Sequence, residues 1–210
     1  MCDEFSPRGW GGRCPAYAIR VPRPYRFEVP GGIFHVATRS VHEKHSFGDV
    51  DDRKDFLEIL GTVVDVCGWL CLMGSHYHLI IQTPVPNLSG GMQLLNGKYA
   101  QRFNWRDGRR GHLFGGRFYS VLIETDAHLF AALRYVALNP VKAGLCETPA
   151  GWRWSSFRST AGLAPAPRFL DCAGVLALFG TGRAGRREFR RFVESVPTEE
   201  EFQLIQMDGI

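Results

Sequence analysis

Apolar and polar positions along the chain alternate in two different periods, and the changes of period mark its elements. From Gly32 to Arg39 the sequence reads GIFHVATR, with β-branched and aromatic residues bounded by Pro-Gly-Gly before and polar residues after, which predicts a first strand. From Asp51 the apolar residues Phe56, Leu57, Leu60, Val63 and Val64 recur at three and four residues with charges between them. That spacing predicts an amphipathic helix ending near Gly68. Residues 69–73 and 76–83 are short apolar runs separated by Gly74-Ser75, the pattern of a β-hairpin. A second helix is expected from an N-cap at Ser89 through Met92, Leu95, Tyr99 and Phe103 to a Gly- and Arg-rich loop at 107–116. Residues 117–124 read as a fourth strand. A third helix opens around Asp126 with Leu129, Phe130, Leu133, Val136 and Ala137 on its apolar face, and Pro140 limits its length.

The order β-α-β-β-α-β followed by a helix predicts an α+β, ferredoxin-like antiparallel sheet with helices on one face. The added C-terminal helix and a basic tail complete it, and the second sheet face is expected to stay open. Three stretches divide the chain: a loose leader at 1–24, rich in Gly, Pro and Arg; a domain at 25–160; and a C-terminal extension at 161–210. The extension combines an apolar segment at 175–179 with an Arg-rich helix near 186–193. No internal repeat is visible.

Composition sets the class. At 210 residues, 45% hydrophobic and 22% charged, the chain is long enough for one well-packed domain and too apolar for a disordered one. The six cysteines form no CxxC pair. Cys67 and Cys71 lie among apolar residues and read as buried thiols, because a zinc site on them lacks two further ligands nearby. The first residues carry no apolar leader segment, and no run of about 18 apolar residues occurs. A cytoplasmic location without membrane insertion is expected. The formal charge of +4 is small, so its distribution matters more than its total.

Chemistry concentrates in two places. In GSHYHLIIQT, His76 and His78 are two apart, which on a strand puts both imidazoles on one face and makes a partial metal site. At the end of the third helix, ALRYVALNPVKAGL, Tyr135 and Asn139 are four apart and share a helical face. Turned towards the histidines, Asn139 becomes a third ligand and the Tyr135 hydroxyl a nucleophile. The same residues also fit an ordinary helix whose Tyr135 packs in the core and whose Asn139 caps the C-terminus; spacing alone leaves both readings open.

Basic residues cluster at Lys98, Arg102, Arg106, Arg109, Arg110 and Arg117, with Tyr99, Phe103, Trp105 and Phe114 interleaved. Such a mixture neutralises phosphates and stacks bases, so these six are candidate DNA contacts. A second group, Arg183, Arg186, Arg187, Arg190 and Arg191, reads equally as a solvated helix face. Tyr99 and Tyr119 are rival nucleophiles without an amide partner spaced like Asn139. His35 and His112 are candidates for DNA contact or loop support, and His42, His45 and His128 read as surface residues.

Seven ordered blocks carry a resemblance over about residues 24–159: PYRFEVPGGIFHVATRS, FLEILG, CLMGSHYHLIIQTP, NLSGGMQLLNGKYAQRFN, GHLFGGRF, RYVALNPVKAGL and WSSFRS. In them the chain resembles the single-tyrosine HUH transposases, in particular the REP-associated tyrosine transposases and the insertion-sequence-200-like group. Gly74-Ser75 stands where relatives often have Pro-Asn. The resemblance implies a metal-dependent endonuclease with His76, His78 and Asn139 as metal ligands, Mg²⁺ or Mn²⁺ as the cation and Tyr135 as nucleophile. It further implies cleavage of single-stranded or hairpin DNA through a 5′-phosphotyrosine, rejoining at the same site, and DNA transposition. A domesticated relative and a noncatalytic DNA-binding protein recognising hairpin repeats are the alternatives, and monomer and homodimer both stay open.

Overall fold

The computed structural model describes residues 28–41, 46–64 and 67–197. The leader at 1–24, with Cys2 and Cys14, and the histidines at 42 and 45 lie outside the described residues. Four strands, β1 (Gly32–Arg39), β2 (Cys67–Leu72), β3 (His76–Thr83) and β4 (Tyr119–Ile123), form one sheet in the order β2-β3-β1-β4. Every neighbouring pair is antiparallel. Helices α1 (Val50–Val63) and α2 (Leu88–Arg106) separate β1 from β2 and β3 from β4, so the element order expected from the sequence is the one observed. After β4 come α3 (Asp126–Lys142), a 3-10 turn at Pro149–Gly151, and α4 (Phe157–Thr160), α5 (Cys172–Ala177) and α6 (Gly182–Glu194).

Two hydrophobic clusters lie on opposite faces of the sheet. On the first, Val36, Leu70, Leu72, Tyr77, Leu79 and Ile81 meet Phe56 and Leu60 of α1 and Met92, Leu95, Tyr99 and Phe103 of α2. On the second, Trp69, Cys71, Met73, Ile80 and Ile123 meet Ala132, Leu133, Val136 and Ala137 of α3, then Phe189 and Val193 of α6. The second face is therefore not open as the sequence reading expected. Its strand residues are mostly apolar, with the imidazoles, Arg39 and Gln82 as the polar ones, and the apolar stripe of α3 has to be buried somewhere. The sheet supplies the surface.

Local chemistry fixes the element ends, with three departures from the sequence reading. A capping box joins Asp49 and Asp52 at the start of α1. That helix stops at Val63 rather than near Gly68, since Val64 is already extended and Gly68 belongs to β2. α2 begins at Leu88 after Asn87, and Ser89, inside the first turn, donates its backbone N–H to Glu28 Oε1 at 2.7 Å instead of capping. Pro140 sits within α3, which runs on to Lys142. A proline withdraws only its own N–H bond, and the final turn is secured elsewhere. Gly144, at φ +68°, donates to Val141 O at 3.0 Å and Leu145 donates to Pro140 O at 2.9 Å, the paired bonds of a Schellman close.

The outer edge of β2 is covered by the WSSFRS region. Leu72 N–H donates to Trp154 O at 2.8 Å, Ser156 N–H to Leu70 O at 3.0 Å, and Trp152 Nε1 to Leu72 O at 2.9 Å. These bonds occupy backbone groups that an uncovered edge would offer to other chains. Cys67 and Cys71 are fully buried thiols, with burial pushing Cys67 up to about 12. No described helix is long and apolar enough to cross a membrane.

The packing of α6 gives a test of how far the C-terminal extension belongs to the core. Phe189 is completely buried against Trp69, Phe157 and Phe179. Phe189→Ala is expected to cost about 3–5 kcal/mol, the range for truncating a buried aromatic, read as a lower midpoint in urea unfolding.

Candidate functional site

The strand register brings histidines together. His76 and His78 point, with Ile80 and Gln82, to the α3 side of β3. On neighbouring β1, Ala37 stands opposite His78, Arg39 opposite His76 and His35 opposite Ile80. On the other flank Cys71 stands opposite His78. Small neighbours at Ala37 and Cys71 leave room for the His78 ring, and residues of the same parity on β1 add a third imidazole. His35 Nε2 lies 3.2 Å from His78 Nδ1, and the His76 and His78 rings are 5.2 Å apart.

Helix α3 closes the site from above. Its face carrying Tyr135 and Asn139 turns towards the histidines, and the Tyr135 ring also packs against the second hydrophobic cluster. The Asn139 amide is 3.1 Å from His78 Nε2 and also hydrogen-bonds His76. Its nitrogen and oxygen are interchangeable by a flip of the amide, so either the donor or the acceptor end can face the imidazoles. The Tyr135 ring stands edge-on to His78 at 5.5 Å and to His35 at 5.9 Å, with Lys142 Nζ 5.3 Å from its centroid.

The arrangement has a closed end and an open end. His35 is 2% exposed and His78 is 0% exposed, whereas His76, Tyr135 and Asn139 are half-buried and Arg39 and Lys142 are exposed. Access is from the edge where β3 begins, not through an open sheet face. Arg39 at this mouth is a site residue that the motifs did not single out, and His35, expected from the sequence to contact DNA or support a loop, is instead buried in mid-strand at the back of the site. The signal for both was parity, since Ile33, His35, Ala37 and Arg39 share a face of β1.

Burial keeps the imidazoles neutral. It lowers His76 to about 4, with the Arg39 charge adding and the Asn139 hydrogen bond opposing. It lowers His78 well below its ordinary value, helped by His35, His76 and Arg39, and it lowers His35 to about 4, helped by His128. Neutral imidazoles have lone pairs to give. Two such nitrogens and an amide oxygen form a donor set for a divalent cation with positions left over for other oxygen ligands, and the site fits one. Among the described residues no three His, Cys, Asp or Glu side chains make a metal cluster, and the third donor here is an amide.

The rival tyrosines separate cleanly. Tyr99 is buried between the sheet and α1, its hydroxyl bonded to Ser46 O and pushed well above the ordinary tyrosine range by burial. Tyr119 shares the face of the histidines but stands opposite Ala37, two strands from His78.

The basic residues are split. Arg102 pairs with Asp55 at 3.0 Å and Glu58 at 3.2 Å, and Arg106 pairs with Asp52 and, at 3.5 Å, with Asp49 and Asp107. Both tie α2 to α1 on the far face from the histidines. Lys98, Arg109, Arg110 and Arg117 are exposed, and Trp105 is 85% exposed beside them. The loop holding Arg109 and Arg110 runs back to the mouth, where Gly115 N–H donates to Arg39 O at 3.1 Å and Val41 N–H to Leu113 O at 2.9 Å.

The lowered histidines predict a pH dependence of stability. An imidazole held neutral in the folded state, and free to protonate near 6.5 when unfolded, stabilises the fold above 6.5; that stabilisation is lost as pH falls towards 4. The urea midpoint is expected to drop across this window, and His35→Gln is expected to flatten the drop.

Comparison with known proteins bears on the fold and on part of the sequence. No family model matches the chain. A protein of Haemophilus influenzae named as a REP-associated tyrosine transposase is 28% identical over 99 residues, which are 42% of this chain and 56% of that protein, so the chain spans about half the length of this relative. A solved structure described as a REP-associated tyrosine transposase bound to a REP hairpin superposes with a TM-score of 0.59 at 15% identity, covering 71% of this chain and 90% of that one. In sequence over that stretch, and in fold over most of its length, this chain resembles the REP-associated tyrosine transposases.

Proposed function

We propose that this chain is a metal-dependent, single-strand DNA endonuclease and strand-transferase of the transposase type, with Tyr135 as its nucleophile. The observation that carries the reading is the convergence of Tyr135 and Asn139 from one face of α3 onto His76 and His78. A tyrosine beside a neutral nitrogen-and-amide donor set is an arrangement for attack on a phosphodiester.

His76, His78 and Asn139 would hold the cation, Mg²⁺ or Mn²⁺. When bound, it supplies a Lewis acid that polarises the scissile phosphate. The Tyr135 oxygen forms a bond to phosphorus as the bond from phosphorus to the 3′ oxygen breaks. The tyrosine loses its proton and the departing oxygen gains one, leaving a 5′-phosphotyrosine and a free 3′-hydroxyl. Attack by a 3′-hydroxyl on that linkage reverses the exchange and rejoins DNA without an external energy source. Arg39 and Lys142 stand at the mouth, where their charges favour the phosphate over bulk solvent.

The substrate assigned is a DNA hairpin with an adjacent single-stranded stretch, because an open strand reaches the mouth without the cost of melting a duplex. The exposed Lys98, Arg109, Arg110 and Arg117 would neutralise its backbone, with Trp105 as a stacking surface. Arg102 and Arg106 contribute mainly to joining α1 and α2, as their carboxylate partners already offset their charge.

Two measurements test this. A labelled hairpin oligonucleotide with Mn²⁺ should give a covalent protein–DNA adduct on a denaturing gel, absent with EDTA and in Tyr135→Phe but retained in Tyr119→Phe. An adduct that survives in Tyr135→Phe would overturn the choice of nucleophile, and its complete absence with the wild type would favour a binding-only protein. In hairpin binding at several salt concentrations, Arg109→Ala and Arg110→Ala should each reduce the salt slope by about one, as for a lost phosphate contact. Arg102→Ala should leave that slope close to the wild-type value.

A further inference from the structure

His35 has no role in the chemistry described above, yet it stands against both parts of the site. It lies in the middle of the central strand β1, almost wholly buried, with Ile80 and Val121 as its strand partners. Packing alone would place an aliphatic residue there, since a buried imidazole must find hydrogen-bond partners or lose stability. Its Nε2 finds His78 Nδ1 at 3.2 Å, and its ring meets the edge of Tyr135 at 5.9 Å.

We propose that His35 is a positioning residue, fixing the tautomer and ring orientation of His78 so that His78 Nε2 presents its lone pair to a divalent cation. The inference rests on the reading of His76, His78 and Asn139 as cation donors.

The argument is one of proton counting. One proton lies between His35 Nε2 and His78 Nδ1, and it belongs to one ring or the other. Carried by His35, it leaves His78 with its own proton on Nε2, where it points towards Asn139 and blocks a cation. Carried by His78 on Nδ1, it is donated to His35 and leaves the Nε2 lone pair free. The second state requires His35 to accept at Nε2, which a neutral imidazole protonated on Nδ1 can do. Partners of this kind orient metal-binding histidines generally, and their loss weakens metal binding without removing a ligand. Because His78 is buried between the sheet and α3, no water can replace His35 in this role at no cost.

The test compares wild type, His35→Phe, which keeps a ring but no acceptor, and His35→Gln, whose Oε1 can stand near the former Nε2. Mn²⁺ binding to the DNA-free protein is followed by electron paramagnetic resonance. His35→Phe should bind about 10- to 100-fold more weakly, and His35→Gln should recover most of that loss. Long-range proton–nitrogen NMR on wild type with Mg²⁺, with His78 assigned from His78→Gln, should show the His78 proton on Nδ1. Equal Mn²⁺ affinity in His35→Phe, or a His78 proton on Nε2 in the wild type, would overturn the inference. The NMR result decides it even where His35→Phe fails to fold. A wild type that takes up no Mn²⁺, with His76→Ala making no difference, would instead overturn the reading of the site itself and this inference with it.

Discussion

The pairing of β1 with β3 is the constraint on which the site depends. Side chains alternate along a strand, so a slip of one residue in that register would turn the imidazoles of β3 away from those of β1 and into the aromatic cluster under α1 and α2. Such a slip would also expose Tyr77, Leu79 and Ile81 to the wrong layer. The same apolar residues that make the core therefore hold His35 and His78 in register. Because both faces of the sheet are covered, the cost of a wrong register is paid twice, and the functional geometry is as stable as the fold.

Covering the second face has a chemical consequence. An open sheet would leave the histidines hydrated and titrating near neutrality. Beneath α3 they are desolvated, held neutral and tied to one another and to Asn139 by hydrogen bonds. Polar groups buried in this way destabilise a core unless they satisfy each other, and this cluster does so with groups that are also good ligands. Its outer rim, with His76, Tyr135, Asn139, Arg39 and Lys142, meets solvent. Rigidity at the back and access at the front come from one packing arrangement.

Charge is divided in the same way between structure and surface. The acidic residues of α1 take Arg102 and Arg106 as partners, which docks α2 and removes those arginines from the free basic surface. Of that cluster, the positive groups left without such partners among the described residues lie in the middle of α2, at Lys98, and along the loop that returns to Arg39, at Arg109, Arg110 and Arg117. A small net charge is thus compatible with a local basic strip leading to the site.

By itself the sequence determined the elements and the parts of the site that are local. Period-two and period-3.6 patterns fixed four strands and three helices, and two short spacings, His76 to His78 and Tyr135 to Asn139, put each pair on a common face. These depend only on backbone geometry within an element. Tertiary structure decided everything that depends on contacts between distant residues: that α3 covers the second sheet face, that Pro140 is tolerated within it, that Tyr99 is locked in the core, and that Arg102 and Arg106 are already paired. It also decided the place of His35, whose meaning lies in a partner 43 residues away. Strand alternation marks the face of a histidine, but only the register between strands says which histidine it meets.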